Sequence, residues 1–175
     1  IMPRLVGSEM CIRDSSLLDY FSEEEIKKNI SAAQYPNKEF ILYYFKNLSS
    51  FMTYEAVTVA VKAKDKKYMI HDLGGSIYFK NNFEKCLSML KEISVEMKKT
   101  FSNAKTGSGK VSHPIDTSGK TIQHYHVFEL ETGDNSQVVC LNYSTELENQ
   151  GHTDELNLTL GTGEYGDFVS NRAYK

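Results

Sequence analysis

The chain has 175 residues, of which 40% are hydrophobic and 25% charged, and its formal net charge at pH 7 is −3. No apolar run approaches the roughly 20 residues that a helix needs to span a bilayer. The mildly acidic composition also lacks the basic footprint of a nucleic-acid-binding protein. The sequence therefore indicates one ordinary globular domain without a membrane span or a nucleic-acid partner.

The first predicted element is a short helix that begins after Ser22. Ser22 can cap this helix, and Glu25, three residues on, completes a capping box. Pro36 then interrupts the pattern. Four strands are expected next, because the runs are rich in β-branched and aromatic residues or alternate apolar with polar residues. These strands are residues 39–46, 55–63, 68–73 and 76–80. Gly74 and Gly75 predict a hairpin turn between the last two strands.

The strongest helical pattern runs from Asn82 to about residue 103. Apolar side chains recur there every three or four residues, which predicts a helix with one face packed on a sheet. These side chains belong to Phe83, Cys86, Leu87, Leu90, Ile93, Met97 and Phe101. A polar segment from 104 to 120 is expected to be a long loop. Three further strands and a short closing helix are expected at residues 121–130, 137–143, 155–160 and 164–174.

This order of elements predicts the fold class. Short connections between strands favour antiparallel pairing, because parallel strands need long crossovers. We therefore predict an α+β domain with a mostly antiparallel sheet of about six or seven strands. The long helix, about residues 82–103, should pack on one face of that sheet.

His124 and His126 are candidate metal ligands. Residues two apart on a strand share a face, so both imidazoles can bind one metal ion. No spacing selects a third ligand from the four candidates His113, His152, Glu129 and Asp134. The alternative is a half-buried, hydrogen-bonded pair, since apolar residues occupy the same predicted face.

Cys86 and Cys140 are a candidate disulfide pair. Cys86 lies on the apolar stripe of the predicted long helix, and Cys140 lies in a strand that this helix should cover. A bond requires α-carbons roughly 4.4–6.8 Å apart. It would close a loop of about 55 residues, for which chain entropy predicts roughly 4 kcal/mol of stabilisation. The alternative is two buried free thiols, and a catalytic cysteine is disfavoured by burial.

Several glycine-containing segments resemble phosphate-binding loops only in part. Gly109-Lys110 and Gly119-Lys120 lack the first glycine of the motif, and the segment follows a helix instead of opening one. Residues 161–166, Gly-Thr-Gly-Glu-Tyr-Gly, are likewise expected to form an ordinary loop. We therefore expect no cofactor and assign no catalytic residue.

The N-terminal segment has an unusual resemblance. Residues 5–15, Leu-Val-Gly-Ser-Glu-Met-Cys-Ile-Arg-Asp-Ser, resemble the translation of a transposase sequencing adapter. The resemblance implies an assembled metagenomic sequence in which residues 1–15 are an artefactual or disordered segment. The domain would then comprise residues 16–175, and any natural signal peptide before Ser16 would be missing.

The body of the chain resembles small exported proteins of AT-rich marine bacteria. Residues 72–86 and 138–144 carry this resemblance, which extends loosely from Ser16 to the end. It implies a periplasmic or secreted protein, with the cytoplasm as the alternative, and it transfers no activity. The leading hypothesis is a non-enzymatic domain that binds a protein partner or a small ligand through its sheet or its long loop. The rival hypothesis is a small metal-dependent enzyme that uses His124 and His126.

Overall fold

A computed structural model describes residues 12–46, 53–113 and 116–175. Four α-helices and seven strands, preceded by two short 3-10 helices, follow one another along the described chain. In chain order they are α1 (Glu23–Lys28), β1 (Phe40–Lys46), β2 (Ala56–Lys62), β3 (Ile70–Tyr78), α2 (Phe83–Thr100), β4 (Lys105–Ser112), β5 (Ile122–Glu129), β6 (Asn135–Asn142), α3 (Thr145–Asn149), β7 (Glu155–Gly161) and α4 (Gly163–Asn171). The 3-10 helices are Ile12–Asp14 and Leu17–Asp19.

The seven strands form one antiparallel sheet with the order β1-β2-β3-β7-β6-β5-β4. This arrangement confirms the predicted α+β class and the predicted antiparallel sheet. None of the helices in the described ranges is long and apolar enough to cross a membrane. The chain groups into two compact units, of which unit 2 comprises residues 76–131 and 136–158. Unit 1 comprises the described residues up to Gly75 together with residues 132–135 and 159–175.

Unit 1 has a hydrophobic core on each face of its strands, because residues of β1 and β2 alternate between the two faces. The first core contains Ile12, Leu17, Ile26, Tyr43, Phe45, Val57, Val59, Val61 and Ile70. The second contains Phe40, Ala60, Tyr165, Phe168 and Ala173. Helix α1 begins as predicted, since the backbone N–H of Glu25 donates to Ser22 Oγ and the Glu25 carboxylate accepts from the Ser22 backbone.

Residues 12–15, the last part of the segment expected to be artefactual or disordered, are among the described residues. Ile12 is only 7% exposed and packs in the first core of unit 1. The backbone carbonyl of Ser15 accepts a hydrogen bond from the N–H of Ile70 at 2.9 Å. An apolar side chain in reach of a core is buried whatever its origin, because the hydrophobic effect is non-directional. The remaining residues, 1–11, lie outside the described chain.

Unit 2 is organised around α2, as the apolar stripe predicts. Asn82 caps this helix by accepting a hydrogen bond from the N–H of Lys85. Its buried residues are Cys86, Leu90, Ile93, Ser94 and Met97. At its two ends, Phe83 lies 5.7 Å from the His124 ring and Phe101 lies 6.2 Å from the Phe128 ring. The long helix therefore covers β5, which confirms its predicted packing on the sheet.

Two strand predictions are wrong. Gly74 and Gly75 do not form a turn, because β3 continues through both of them. A β-carbon on Gly75 would lie 2.5 Å from the Tyr54 ring, so this glycine makes room for a neighbouring side chain. The predicted loop at 104–120 contains the strand β4, in which every residue is exposed. With no buried face, β4 has no alternating pattern from which to be recognised.

Candidate functional site

The structure places His124 and His126 on β5, opposite Lys110 and Ser108 of β4. Both histidines are half-buried. Burial lowers the pKa of His126. The described residues contain no group of three His, Cys, Asp or Glu side chains arranged to hold a metal ion. Metal binding by the pair therefore stays a prediction.

Two candidates for a third metal ligand lie near each other. The pKa of His113 is lowered by burial and, to a smaller degree, by the charge of nearby His152. The His152 ring in turn lies 4.8 Å from the ring of Tyr143. His113 and His152 therefore lie near each other in unit 2, which the spacing of residues in the sequence does not reveal.

Cys86 and Cys140 form the predicted disulfide. Their α-carbons are 6.0 Å apart, inside the range that a bond requires. Both cysteines are fully buried in unit 2. The bond therefore ties α2 to β6, which agrees with the prediction that the helix stripe and the sheet face meet in one core.

The most unusual polar group of unit 1 is the carboxyl of Asp72 on β3. It accepts no hydrogen bond and forms no ion pair within the part of the chain that the structure describes. The residue as a whole is half-buried. The protein atoms around its carboxyl displace part of its hydration, which raises the pKa of Asp72 from 3.8 to about 7. Carboxyls whose pKa is strongly perturbed often lie at functional sites.

Gly161, the last residue of β7, lies directly against this carboxyl. A β-carbon on Gly161 would lie 2.8 Å from Asp72 Oδ1 and 3.5 Å from Asn135 Oδ1. Both side chains therefore approach Gly161 at one point of the β7 backbone. A side chain at position 161 would collide with the Asp72 carboxyl, so glycine permits this close approach.

Asn135, at the start of β6, is the second unpaired polar group at this point. Its carboxamide forms no hydrogen bond with any residue that the structure describes. On its other side, a β-carbon on Gly166 would lie 3.0 Å from Asn135 Nδ2. Gly161 and Gly166 both belong to the segment that was expected to be an ordinary loop. A side chain at either position would crowd Asp72 or Asn135.

Two tyrosines complete the surroundings of Asp72. The hydroxyl oxygens of Tyr35 and Tyr165 lie 3.1 Å apart and share a hydrogen bond. Burial raises the pKa of Tyr165, and the negative charge of an ionised Asp72 raises it further. The same two causes raise the pKa of Tyr35, which also responds to Tyr174. Both phenols therefore stay protonated at neutral pH. We call Asp72, Asn135, Gly161, Tyr35 and Tyr165 the Asp72 site.

The charged groups near the Asp72 site are already paired. Glu164 of α4 forms an ion pair with Lys62 and lies 3.6 Å from His71 Nδ1. The Lys62 ammonium is the main cause that lowers the pKa of Glu164. Lys62 therefore already has a carboxylate partner in Glu164 and is not paired with Asp72.

Sequence reasoning missed the Asp72 site. The sequence predicts a turn at Asp72-Leu-Gly-Gly and carries no pattern that distinguishes Asn135. The signals in the sequence were an acidic residue inside a strand-forming run and two glycines around a helix start. Comparison of the chain with protein-family models, with curated proteins and with solved structures finds no match.

Proposed function

We propose that the chain is a non-enzymatic binding domain that holds a small primary amine at the Asp72 site. One observation carries the proposal: Asp72 and Asn135, neither of which has a hydrogen-bond partner in the described chain, both approach Gly161 with an oxygen atom. The described chain supplies no donor for either group, so the donor is expected to come from a ligand.

The chemistry of the two oxygens favours an ammonium group. Asp72 and Asn135 Oδ1 are acceptors, and an ammonium group offers three donors with a positive charge. A hydrogen bond between an ammonium and a carboxylate is about twice as strong as a neutral one. An anionic ligand would be repelled by the Asp72 carboxylate. It would also leave the cost of desolvating that carboxylate uncompensated.

Thermal unfolding at pH 8 tests this proposal. Methylamine, ethanolamine and putrescine should each raise the melting temperature, and ethylene glycol, which has no charge, should not. At about 100 times the dissociation constant the stabilisation is roughly 2.7 kcal/mol, which corresponds to a rise of roughly 5–11 °C. Asp72→Asn should abolish the effect, whereas Glu131→Gln, at an exposed position, should retain it. No rise with any of the three amines, or an equal rise in Asp72→Asn, would contradict the proposal.

We also propose that the domain acts in the bacterial envelope, in the periplasm. The buried bond between Cys86 and Cys140 supports this location, since disulfides persist in oxidising compartments. The intact upstream gene sequence tests it. A signal peptide before Ser16 is expected, and a full-length gene without one would contradict periplasmic location.

The rival function, a metal-dependent enzyme, rests on His124 and His126 alone. Elemental analysis of the purified protein separates it from the binding domain. A stoichiometric transition metal that is lost in the His124→Ala/His126→Ala variant would replace the binding proposal with the enzyme.

A further inference from the structure

Unit 2 carries a groove whose charge is opposite to that of the Asp72 site. The groove has a volume of about 340 Å³ and lies between α2, β4 and β5. It is lined by Lys91, Ser94, Val95, Lys98, Thr106, Gly107, Ser108, His126 and Phe128. No acidic side chain is among them. We call this surface the lysine groove.

Two lysines give the groove its charge. Lys91 and Lys98 are both exposed, and neither forms an ion pair with any residue that the structure describes. They lie two turns apart on α2, about 10 Å along the axis, so they lie on the same side of the helix. Burial lowers the pKa of His126, so this imidazole is neutral at neutral pH and the two lysines supply the positive charge.

The lysine groove borders an open sheet edge. β4 is the last strand of the sheet and pairs only with β5. At the other end of the sheet, the edge of β1 is covered, because Ile30 bridges Tyr43 and the Gln34 side chain bonds both backbone groups of Leu42. Among the described residues, nothing covers β4 in the same way. An uncovered edge offers a row of backbone donors and acceptors to another strand.

The register of β4 places its polar side chains beside the groove. Thr106 lies opposite Phe128, Ser108 opposite His126, and Lys110 opposite His124. Residues directly opposite each other in an antiparallel pair share a face, and these β5 residues face α2. Thr106, Ser108 and Lys110 are therefore on the α2 side of the sheet. The other face of β4 includes Gly107 and Gly109, which present no side chain.

We propose that an extended acidic segment of a partner protein adds a strand to the open edge of β4. Alternate side chains of a strand share one face, so carboxylates at every second position would line the α2 side. There they meet Lys91, Lys98 and Lys110. The backbone bonds give affinity to any extended segment, and the lysines select an acidic one.

Charge also argues against a second copy of this chain as the occupant. β4 carries Lys105 and Lys110 and no acidic residue. Pairing of β4 with its own copy would bring lysines together on a surface that already contains Lys91 and Lys98. Like charges across a strand pair are destabilising, so an acidic partner fits where a self-partner does not.

Fluorescence anisotropy with a labelled peptide, Glu-Thr-Glu-Thr-Glu-Thr-Glu, tests the proposal at low salt. The Lys91→Gln/Lys98→Gln variant should bind this peptide about tenfold more weakly, since each exposed charge pair contributes up to about 1 kcal/mol. The Lys64→Gln/Lys66→Gln variant makes the same charge change elsewhere and should bind as the original chain does. Hydrogen exchange at the amides of β4 should slow when the peptide binds.

A second peptide of the same sequence, with every backbone nitrogen methylated, separates strand addition from simple charge attraction, because its backbone cannot donate to the ladder whichever amides face β4. It should not bind. Equal binding of both peptides would overturn strand addition, and so would a failure of the first peptide to bind. Sedimentation velocity covers the remaining case: a dimer that dissociates when peptide is added would make the second copy the natural occupant and overturn the acidic partner. Asp72→Asn leaves all these readouts unchanged, so the amine proposal and this one fail separately.

Discussion

The carboxyl of Asp72 should make the stability of the protein fall as the pH rises. Its pKa is 3.8 when exposed and about 7 in the folded chain, because burial disfavours the charged form. Between these values the folded state holds a proton that the unfolded state has released, so acid favours folding. The stabilisation is fully present below about pH 4 and is lost as the pH rises through 7. At 1.36 kcal/mol per pKa unit the shift corresponds to about 4 kcal/mol, and the partial exposure of Asp72 reduces it to about 2–4 kcal/mol.

Asp72→Asn removes this titration without changing the size of the side chain. The variant and the original chain should have similar free energies of unfolding at pH 4. At pH 8 the variant should be more stable by about 2–4 kcal/mol, since a neutral amide replaces a charge that is costly to bury. Urea unfolding at intervals from pH 4 to pH 8 measures both curves.

The difference between the two curves isolates Asp72, because every other titrating group is common to both proteins. Glu131→Gln removes an exposed carboxylate and should reproduce the curve of the original chain. Parallel curves for Asp72→Asn and the original chain would refute the argument that this carboxyl is poorly hydrated. A variant less stable at pH 8 would show that the ionised carboxylate has a stabilising partner.

Three further substitutions test other parts of the structure. Cys86→Ala/Cys140→Ala should lower the free energy of unfolding by about 2–5 kcal/mol in urea titrations, and an unchanged midpoint would mean that no bond is present. Gly161→Ala places a β-carbon 2.8 Å from Asp72 Oδ1. It should destabilise the fold by about 1–3 kcal/mol and abolish the response of the melting temperature to amines. An unchanged response would show that the amine binds elsewhere on the protein. Ile12→Ala should cost about 2–4 kcal/mol, and no loss would show that the buried position of this side chain does not stabilise the fold.

The parts of the fold that the sequence predicts correctly are those whose pattern is local. α2 is recognised because its apolar positions recur at the helical period along a single segment. The pairing of Cys86 with Cys140 follows from the same stripe, once the helix is assigned to one face of the sheet. The capping box at Ser22 needs only four consecutive residues. The helix and the capping box are determined by residues close together in the chain, whereas the disulfide joins residues 54 positions apart and follows only from the packing of the helix on the sheet.

The parts that sequence reasoning misses depend on neighbours that are distant in the chain. Gly75 resembles a turn residue until Tyr54 is seen to occupy the space where its side chain would lie. β4 resembles a loop because an edge strand that is exposed on both faces has no buried side to impose alternation. Asp72 becomes notable only when Asn135 and Gly161 converge on it. No periodicity in the sequence records that convergence.

The two proposed binding surfaces use opposite charges, although the chain as a whole has a net charge of only −3. A small net charge means only that positive and negative side chains are nearly equal in number. It says nothing about where on the surface each kind is concentrated. At the Asp72 site, an unpaired carboxylate selects a cation; in the lysine groove, unpaired ammonium groups select an anion. The two surfaces share no residue. A substitution at one surface should therefore abolish binding there and leave binding at the other unchanged. Added salt should weaken the exposed lysine groove strongly, and it should affect the enclosed Asp72 site much less, because buried charges are screened less than exposed ones. Measurement of both affinities across a salt series therefore checks whether each surface is as enclosed or as exposed as the structure indicates.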